Sequence, residues 1–224
     1  MTGKVKASRR YHSPLRADQA ERTRGRVLDA ALGLFVQRGY AGTTVAAIAD
    51  RAGVSAQTVY LSLGGKRGVL ESLIASAIAG TDDPTAVDAR WSTEVASLSD
   101  ARERLARLVE HSCGILARTR PIHAVIRGAA DKEAFAATLG RRLLQDRLAA
   151  QTERIRTHLR DDLRPGLTVS EAGLRYCALA SPDLYHLLVS ELGWTSDRHR
   201  KWLTQLLGAE LLGPDAALPE QGRA

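Results

Sequence analysis

Aromatic side chains make up only 4% of this chain and cysteine occurs twice. Cys113 and Cys177 are too few and too far apart for a disulfide framework, which points to a reducing compartment and makes the cytoplasm the expected location. So few aromatics disfavour an aromatic cage around a cationic ligand. No uninterrupted apolar run approaches the roughly 18 residues that a membrane helix needs, so no membrane partner is expected. The basic N-terminus is not followed by an apolar stretch and does not read as a secretory signal. Nor is there a run of alternating apolar and polar residues long enough to insist on a strand, an internal repeat, a glycine-rich phosphate loop, a nucleophile elbow or a triad; an enzyme is not expected. His111-x-Cys113, His123, His158 and His186 lack the spacing of a zinc site, so neither metal nor cofactor is expected.

What the chain does have is helical periodicity almost throughout, an uneven charge and one compact motif. Residues 1–67 hold twelve Lys and Arg against four Asp and Glu, while residues 68–224 hold twenty against twenty-one. The whole formal charge of +7 therefore sits at one end, as expected of a module that meets a polyanion. In that end, Val45, Ile48, Ala49 and Ala52 fall at i, i+3, i+4 and i+7. Thr43 is placed to cap this helix, Gly53 to end it in a left-handed conformation, and Ser55 to cap the next. Two short helices joined by a glycine turn form a helix-turn-helix, whose second helix, about 56–62, is a probe for the major groove of double-stranded DNA.

Around the motif the periodicity predicts a first helix over about 19–37, with Val27, Leu28, Ala31, Leu34 and Phe35 inward. A fourth helix over about 66–79 has Leu70, Leu73, Ile74 and Ile78 inward, and Asp82-Asp83-Pro84 ends it. Further segments are expected at about 85–97, 100–118, 121–130, 132–161, 169–192 and 196–212, with breaks at Pro121, Pro165-Gly166 and Gly193. The longest segment points Phe135, Leu139, Leu143, Leu144, Leu148, Ile155 and Leu159 inward. Segment 169–192 is apolar on more than one face through Leu174, Leu179, Leu184, Leu187, Leu188 and Val189, and Ser181-Pro182 marks a helix start inside it. The expected fold is all-α: a basic arm over 1–17 (Lys4, Lys6, Arg9, Arg10 and Arg16) that looks disordered, a DNA-binding domain of helix-turn-helix type over 18–80, a helical ligand-binding and dimerisation domain over 81–213, and a tail over 214–224.

The pattern Thr43-Thr44-Val45-x-x-Ile48-Ala49-x-x-Ala52-Gly53-Val54-Ser55-x-x-Thr58-Val59-Tyr60, with Lys66 six positions on and Phe35-x-x-Arg38-Gly39-Tyr40 before it, resembles the tetracycline-repressor (TetR) family. The resemblance covers roughly residues 20–75; beyond it only the all-helical layout matches. It implies a homodimeric, ligand-responsive transcription regulator, most often a repressor. It also implies that Thr44 and Lys66 contact phosphates, and that Ser55, Ala56, Gln57, Thr58, Tyr60 and Leu61 face DNA. Gln57 is the candidate base reader, since its amide can pair bidentately with an adenine edge. Three positions depart from the family pattern. Leu63 stands for a usual Phe, which weakens packing; Gly65 stands for Ser or Asn, which weakens a helix cap; Ser62 stands for an aromatic or His. Each candidate has a structural alternative: Thr44 and Ser55 as caps, Tyr60 as packing, Lys66 as a solvated charge.

The effector cavity is expected between residues 100 and 192, mainly aliphatic with a few polar groups. Trp91, His111, His123, Arg127, Phe135, Tyr176 and Tyr185 are the large or polar side chains available to it. The dimer interface is expected at Leu184, Leu188, Trp202 and Leu206, in a four-helix arrangement with the symmetry mate. The resulting reading is a homodimeric repressor that binds a palindromic operator and is released by a small-molecule effector. A ligand-insensitive DNA binder, a helical enzyme and a thiol redox sensor are the rival readings.

Overall fold

The computed structural model describes residues 14–80 and 91–213, and no strand occurs among them. Residues 1–13 of the basic arm expected over 1–17, the Asp82-Asp83-Pro84 stop and the tail beyond Gly213 lie outside the described residues. The chain divides into two compact units, Met1–Leu73 and Ile74–Ala224.

The first unit contains α1 (Pro14–Arg38), α2 (Val45–Ala52), α3 (Ala56–Leu63) and the start of α4 (Gly65–Ala79). Helix α1 begins at Pro14, inside the stretch expected to be disordered. Val27, Leu28, Ala31, Leu34 and Phe35 are buried, with Ile48, Ala49 and Ala52 from α2, Val59 and Leu63 from α3, and Leu70 and Leu73 from α4. The N-cap of α2 is Thr44 rather than Thr43: its side chain accepts from the Ala47 N–H at 3.1 Å. Thr43 is buried, and its hydroxyl instead donates to the Gly39 carbonyl at 2.9 Å. Gly53 ends α2 at φ 65°, a conformation a β-carbon would strain, and its N–H returns to the carbonyls of Ala49 and Asp50. Gly68 lets α4 lie hard against the end of α3, since a β-carbon there would stand 1.7 Å from the Leu63 carbonyl oxygen.

In the second unit, residues 91–96 are helical and precede α5 (Ala101–Ala130), α6 (Ala134–His158), α7 (Val169–Leu179), the short α8 (Pro182–Tyr185) and α9 (Ser196–Leu207). Helix α5 continues without interruption through Pro121, against the break expected there. An internal proline costs a helix about 3 kcal/mol, but Leu116, Ile122, Val125 and Ile126 are all buried around it and hold the helix together. Ser181 caps α8 with Pro182 at its first turn, as the sequence suggested. Residues His186–Glu191 then continue in the wider π-helical register. The core of this unit joins Leu105, Leu108 and Val109 to Ile155, Leu159, Tyr176, Leu203 and Leu207.

Four residues expected inward are not. Leu144, Leu174 and Leu187 are about half exposed, and Ile78, which lines a cavity, is 40% exposed. Among the described residues no helix is long and apolar enough to cross a membrane, and no three His, Cys, Asp or Glu side chains converge as for a metal ion.

Candidate functional site

The outward face of α3 is prepared by its own caps. Ser55 accepts from the Thr58 N–H at 3.1 Å, the two hydroxyls lie 2.8 Å apart, and Ser62 donates to the Thr58 carbonyl at 2.6 Å. Ser55 and Gln57 are exposed, Tyr60 and Leu61 are 58% and 81% exposed, and Ala56 and Thr58 are half-buried. An 81% exposed leucine beside an exposed tyrosine gains nothing from the fold itself, so both are available to a partner. Gly65 has φ 81°, and a β-carbon there would come within 2.8 Å of the Tyr60 ring. The glycine that departs from the family pattern therefore leaves room for Tyr60, whose ring is aligned beside the start of α4.

Thr44 is exposed at the N-terminus of α2 and Lys66 stands in the first turn of α4. The Lys66 ammonium donates to the Tyr40 carbonyl at 3.0 Å and lies 4.2 Å from the Tyr40 ring centroid. One of its three donors is thus committed to the fold, and two remain for an anion. The lysine is therefore not a freely solvated charge.

In the second unit, α5 and α6 face each other across a cavity of about 220 Å³. Ser112, Ile115, Leu116, Thr119 and His123 form one wall and Leu143, Arg147, Ala150, Gln151 and Arg154 another, with Ile78, Asp146, Ala180 and Pro182 completing it. Each wall follows the i, i+3, i+4, i+7 spacing of a single helix face. At one end Gln151 donates to Ser112 at 3.2 Å, and the Ser112 hydroxyl lies 3.1 Å from that of Tyr176. Burial pushes the Tyr176 phenol above its ordinary value, so it stays protonated. At the other end burial, reinforced by the Arg147 guanidinium, lowers the His123 imidazole to about 4, which keeps it neutral near pH 7.

Of the residues expected around a cavity, the structure brings only His123 into this wall. Tyr176 sits behind it, fully buried, and touches it through Ser112. Trp91 and His111 have ring centroids 4.4 Å apart and line a separate hollow with Glu94 and Arg107. Arg127 pairs with Asp183 at 2.5 Å, Phe135 is half-buried off the cavity, and Tyr185 packs edge-on to His199. Arg147, Gln151 and Ser112 were missed. Their signal was present as two facing twelve-residue stripes, but pairing the stripes needs the antiparallel contact of α5 with α6, which periodicity alone does not give. Of the expected interface residues, Leu188 is buried within its own chain, while Leu184, Trp202 and Leu206 are half-buried. Leu187 and Leu192, at 47% and 61% exposure, are the bare apolar side chains of that region.

The Cys113 sulfur lies 3.6 Å from His199 Nδ1, both residues being buried. Burial pushes the Cys113 thiol up to about 11, so little thiolate forms at neutral pH and the group is poorly suited to redox sensing.

Residues 27–73 match the family of bacterial regulatory proteins, tetR family. The chain carries a TetR-family DNA-binding domain. This TetR-type domain, a helix-turn-helix module of transcriptional regulators, is similar to that of the HTH-type transcriptional regulator SrpR of Pseudomonas putida: 45% identity over 60 residues, which is 27% of this chain and 28% of SrpR. The chain thus aligns with only about a quarter of that curated relative's length. Beyond the TetR-type domain the likeness is one of fold. NalD of Pseudomonas aeruginosa, the secondary repressor of the MexAB-OprM multidrug efflux pump, superposes with a TM-score of 0.66 at 22% identity, over 86% of this chain and 98% of NalD. SmeT, solved as a complex with triclosan, gives 0.64 at 20% identity, over 89% and 96%.

Proposed function

We propose that this chain is a homodimeric transcriptional repressor that binds a pseudo-palindromic operator and releases it when a small molecule enters the α5–α6 cavity. The exposed face of α3 carries the reading. Gln57, Tyr60 and Leu61 project from a helix capped at both ends, within a module whose relatives are transcriptional regulators. Thr44 and Lys66 contact phosphates, and Gln57 reads an adenine edge. Two copies are needed because probe helices must enter successive major grooves, about 34–36 Å apart. Leu187 and Leu192, bare in the monomer, with Leu184, Trp202 and Leu206 beside them, supply the interface.

The cavity favours an effector-responsive protein over a ligand-insensitive DNA binder, and the triclosan complex of SmeT is a case of this fold holding a small molecule. Helix α4 is the connecting element: it starts two residues after α3, continues unbroken to Ala79, and carries Ile78 into the cavity lining. Arg118 donates to the carbonyls of Ala77 and Ile78 at 2.9 and 3.3 Å, so a ligand that displaces Ile78 pulls on the end of this helix.

Footprinting with sedimentation tests the reading. A protected two-half-site palindrome bound by a dimer is expected, and Leu187→Glu should give monomers that no longer protect it. A single asymmetric half-site bound by a monomer would overturn the proposal.

A further inference from the structure

The polar groups of the cavity are not equally satisfied. Ser112, Gln151 and Tyr176 bond one another at one end. Arg154 is engaged by Gln151 at 3.4 Å and by His111 at 3.2 Å. Arg147 is different: its Nε is buried, and no acceptor for it is found among the described residues. Asp146 lines the same cavity but makes no ion pair with it, and Asp183 is taken by Arg127. A buried guanidinium donor without an acceptor bears the cost of its desolvation; among the described residues one ring nitrogen each of His158, His186 and His199 is also buried without a partner, but Arg147 alone of these four lines the cavity. Protonating the neighbouring imidazole to match an anion is not required, because His123 stays neutral and can donate or accept a single hydrogen bond.

The rest of the lining limits what that partner is. Ile78, Ile115, Leu116, Leu143, Ala150 and Ala180 form the body, and no Phe, Tyr or Trp is among the lining residues. Each helical wall spans eleven residue steps, about 16 Å at 1.5 Å per residue, so a volume of about 220 Å³ is narrow for its length. An apolar cavity of about 150 Å³ admits benzene; this one suits a slightly larger, slender molecule. A guanidinium presents pairs of N–H groups side by side, a fork that matches the two oxygens of a carboxylate, and no partner for any nitrogen of Arg147 is found among the described residues.

We propose that the cavity takes a compact aliphatic monocarboxylate whose carboxylate pairs with Arg147, with its chain lying between α5 and α6. This deepens the effector reading above and rests on it.

The test compares hexanoate, hexanol and hexylamine as probes of the full-length protein by calorimetry, together with release of operator DNA. Hexanoate should bind roughly tenfold or more tighter than hexanol, the scale of one hydrogen-bonded charge pair, and hexylamine weakest. Arg147→Met, checked for an unchanged melting curve, should remove that preference while hexanol binding holds. A second variant, Leu143→Trp, should block both probes by filling the cavity. Hexanoate binding no tighter than hexanol, a preference that survives Arg147→Met, or no binding of any probe would each overturn the carboxylate proposal. Release of the operator by a neutral compound alone would overturn it too, leaving the repressor reading intact. Arg147-dependent hexanoate binding that leaves the operator complex unchanged would instead uphold the carboxylate site and refute effector-driven release.

Discussion

The outward face of α3 and the facing stripes of α5 and α6 use helical periodicity in opposite senses. On α3 the buried side is minimal, Val59 and Leu63, while the outer side carries Gln57, Tyr60 and Leu61 into solvent. On α5 and α6 the polar residues Ser112, His123, Arg147 and Gln151 line a cavity between the helices. A surface that meets a large, repetitive polyanion has to be exposed and held rigid by local caps. A cavity for a small molecule is assembled from residues far apart in sequence, and its polar groups must be satisfied by one another or by a ligand. The first kind of site tolerates little change in spacing; the second is set by which stripes happen to face. Relatives match this chain at 45% identity over one stretch of 60 residues, and solved structures of the same fold that cover most of it match at 22% and 20%.

The sharpest test of this contrast is Gly68→Ala. A β-carbon there would stand 1.7 Å from the Leu63 carbonyl, and backbone cannot move aside as a flexible side chain would. A loss of about 3 kcal/mol or more is expected, at the upper end of overpacking effects. All three tryptophans, Trp91, Trp194 and Trp202, lie in the second unit, so their fluorescence reports that unit alone. The variant should lose DNA binding and part of its far-UV helix signal while the tryptophan melting curve stays in place. If the tryptophan transition falls with it, the two units melt as one cooperative body and the comparison needs revision.

Acid should act on the opposite unit. His123 titrates near 4 in the folded protein against about 6.5 in the unfolded chain, and burial lowers His158 and His199 as well. The unfolded chain therefore takes up protons first as pH falls. The stability tied to neutral His123 is fully present above pH 6.5 and is lost between 6.5 and 4, of order 2–3 kcal/mol. Residues 14–73 contain no histidine. The tryptophan-detected transition should drop steeply over that window, and His123→Gln should flatten the slope. A slope that His123→Gln leaves unchanged would mean the imidazole is solvated and the cavity end is wet.

How much of this was legible without coordinates follows from where each signal resides. Gly53, Ser55 and the spacing of Ile48, Ala49 and Ala52 act within one or two turns, so cap, stop and buried face were all readable. Thr43 and Thr44 were exchanged because both are good caps in sequence; the choice is made by Gly39, whose carbonyl draws the Thr43 hydroxyl inward. Pro121 misled because a local breaker was outvoted by tertiary burial of Leu116, Ile122 and Val125. Arg147 was invisible for a different reason: an arginine on an amphipathic helix normally faces water, and only the partner helix turns it into part of a cavity.

Within the first unit, Gln57 is the proposed base reader and Lys66 the proposed phosphate contact. Gln57→Ala should cost about 1–3 kcal/mol at one base step and leave other operator positions unaffected, whereas Lys66→Met should weaken all sequences alike and reduce the salt slope by about one unit. Because Lys66 also holds the Tyr40 carbonyl and ring, Lys66→Met should lower stability by about 1 kcal/mol as well, which a melting curve resolves from the DNA effect. Uniform loss across operator variants for Gln57→Ala would remove it as a base reader.

The smallest effect expected is a gain. Gly128 lies exposed near the end of α5, and a β-carbon there meets nothing within 4 Å. In a helix, glycine costs about 0.5–1 kcal/mol relative to alanine through the extra freedom of the unfolded chain. Gly128→Ala should therefore raise the tryptophan-detected melting temperature by a few degrees without touching DNA affinity. Gly173 provides the internal contrast. A β-carbon there would stand 2.2 Å from the Thr152 hydroxyl, so the same exchange should destabilise where α7 packs on α6. Opposite signs at these two glycines would show that the close contacts of the second unit sit at the α6–α7 seam and not along α5. A gain at both would mean that the seam can open by about 1 Å, and the cavity beside it would then be softer than its lining suggests.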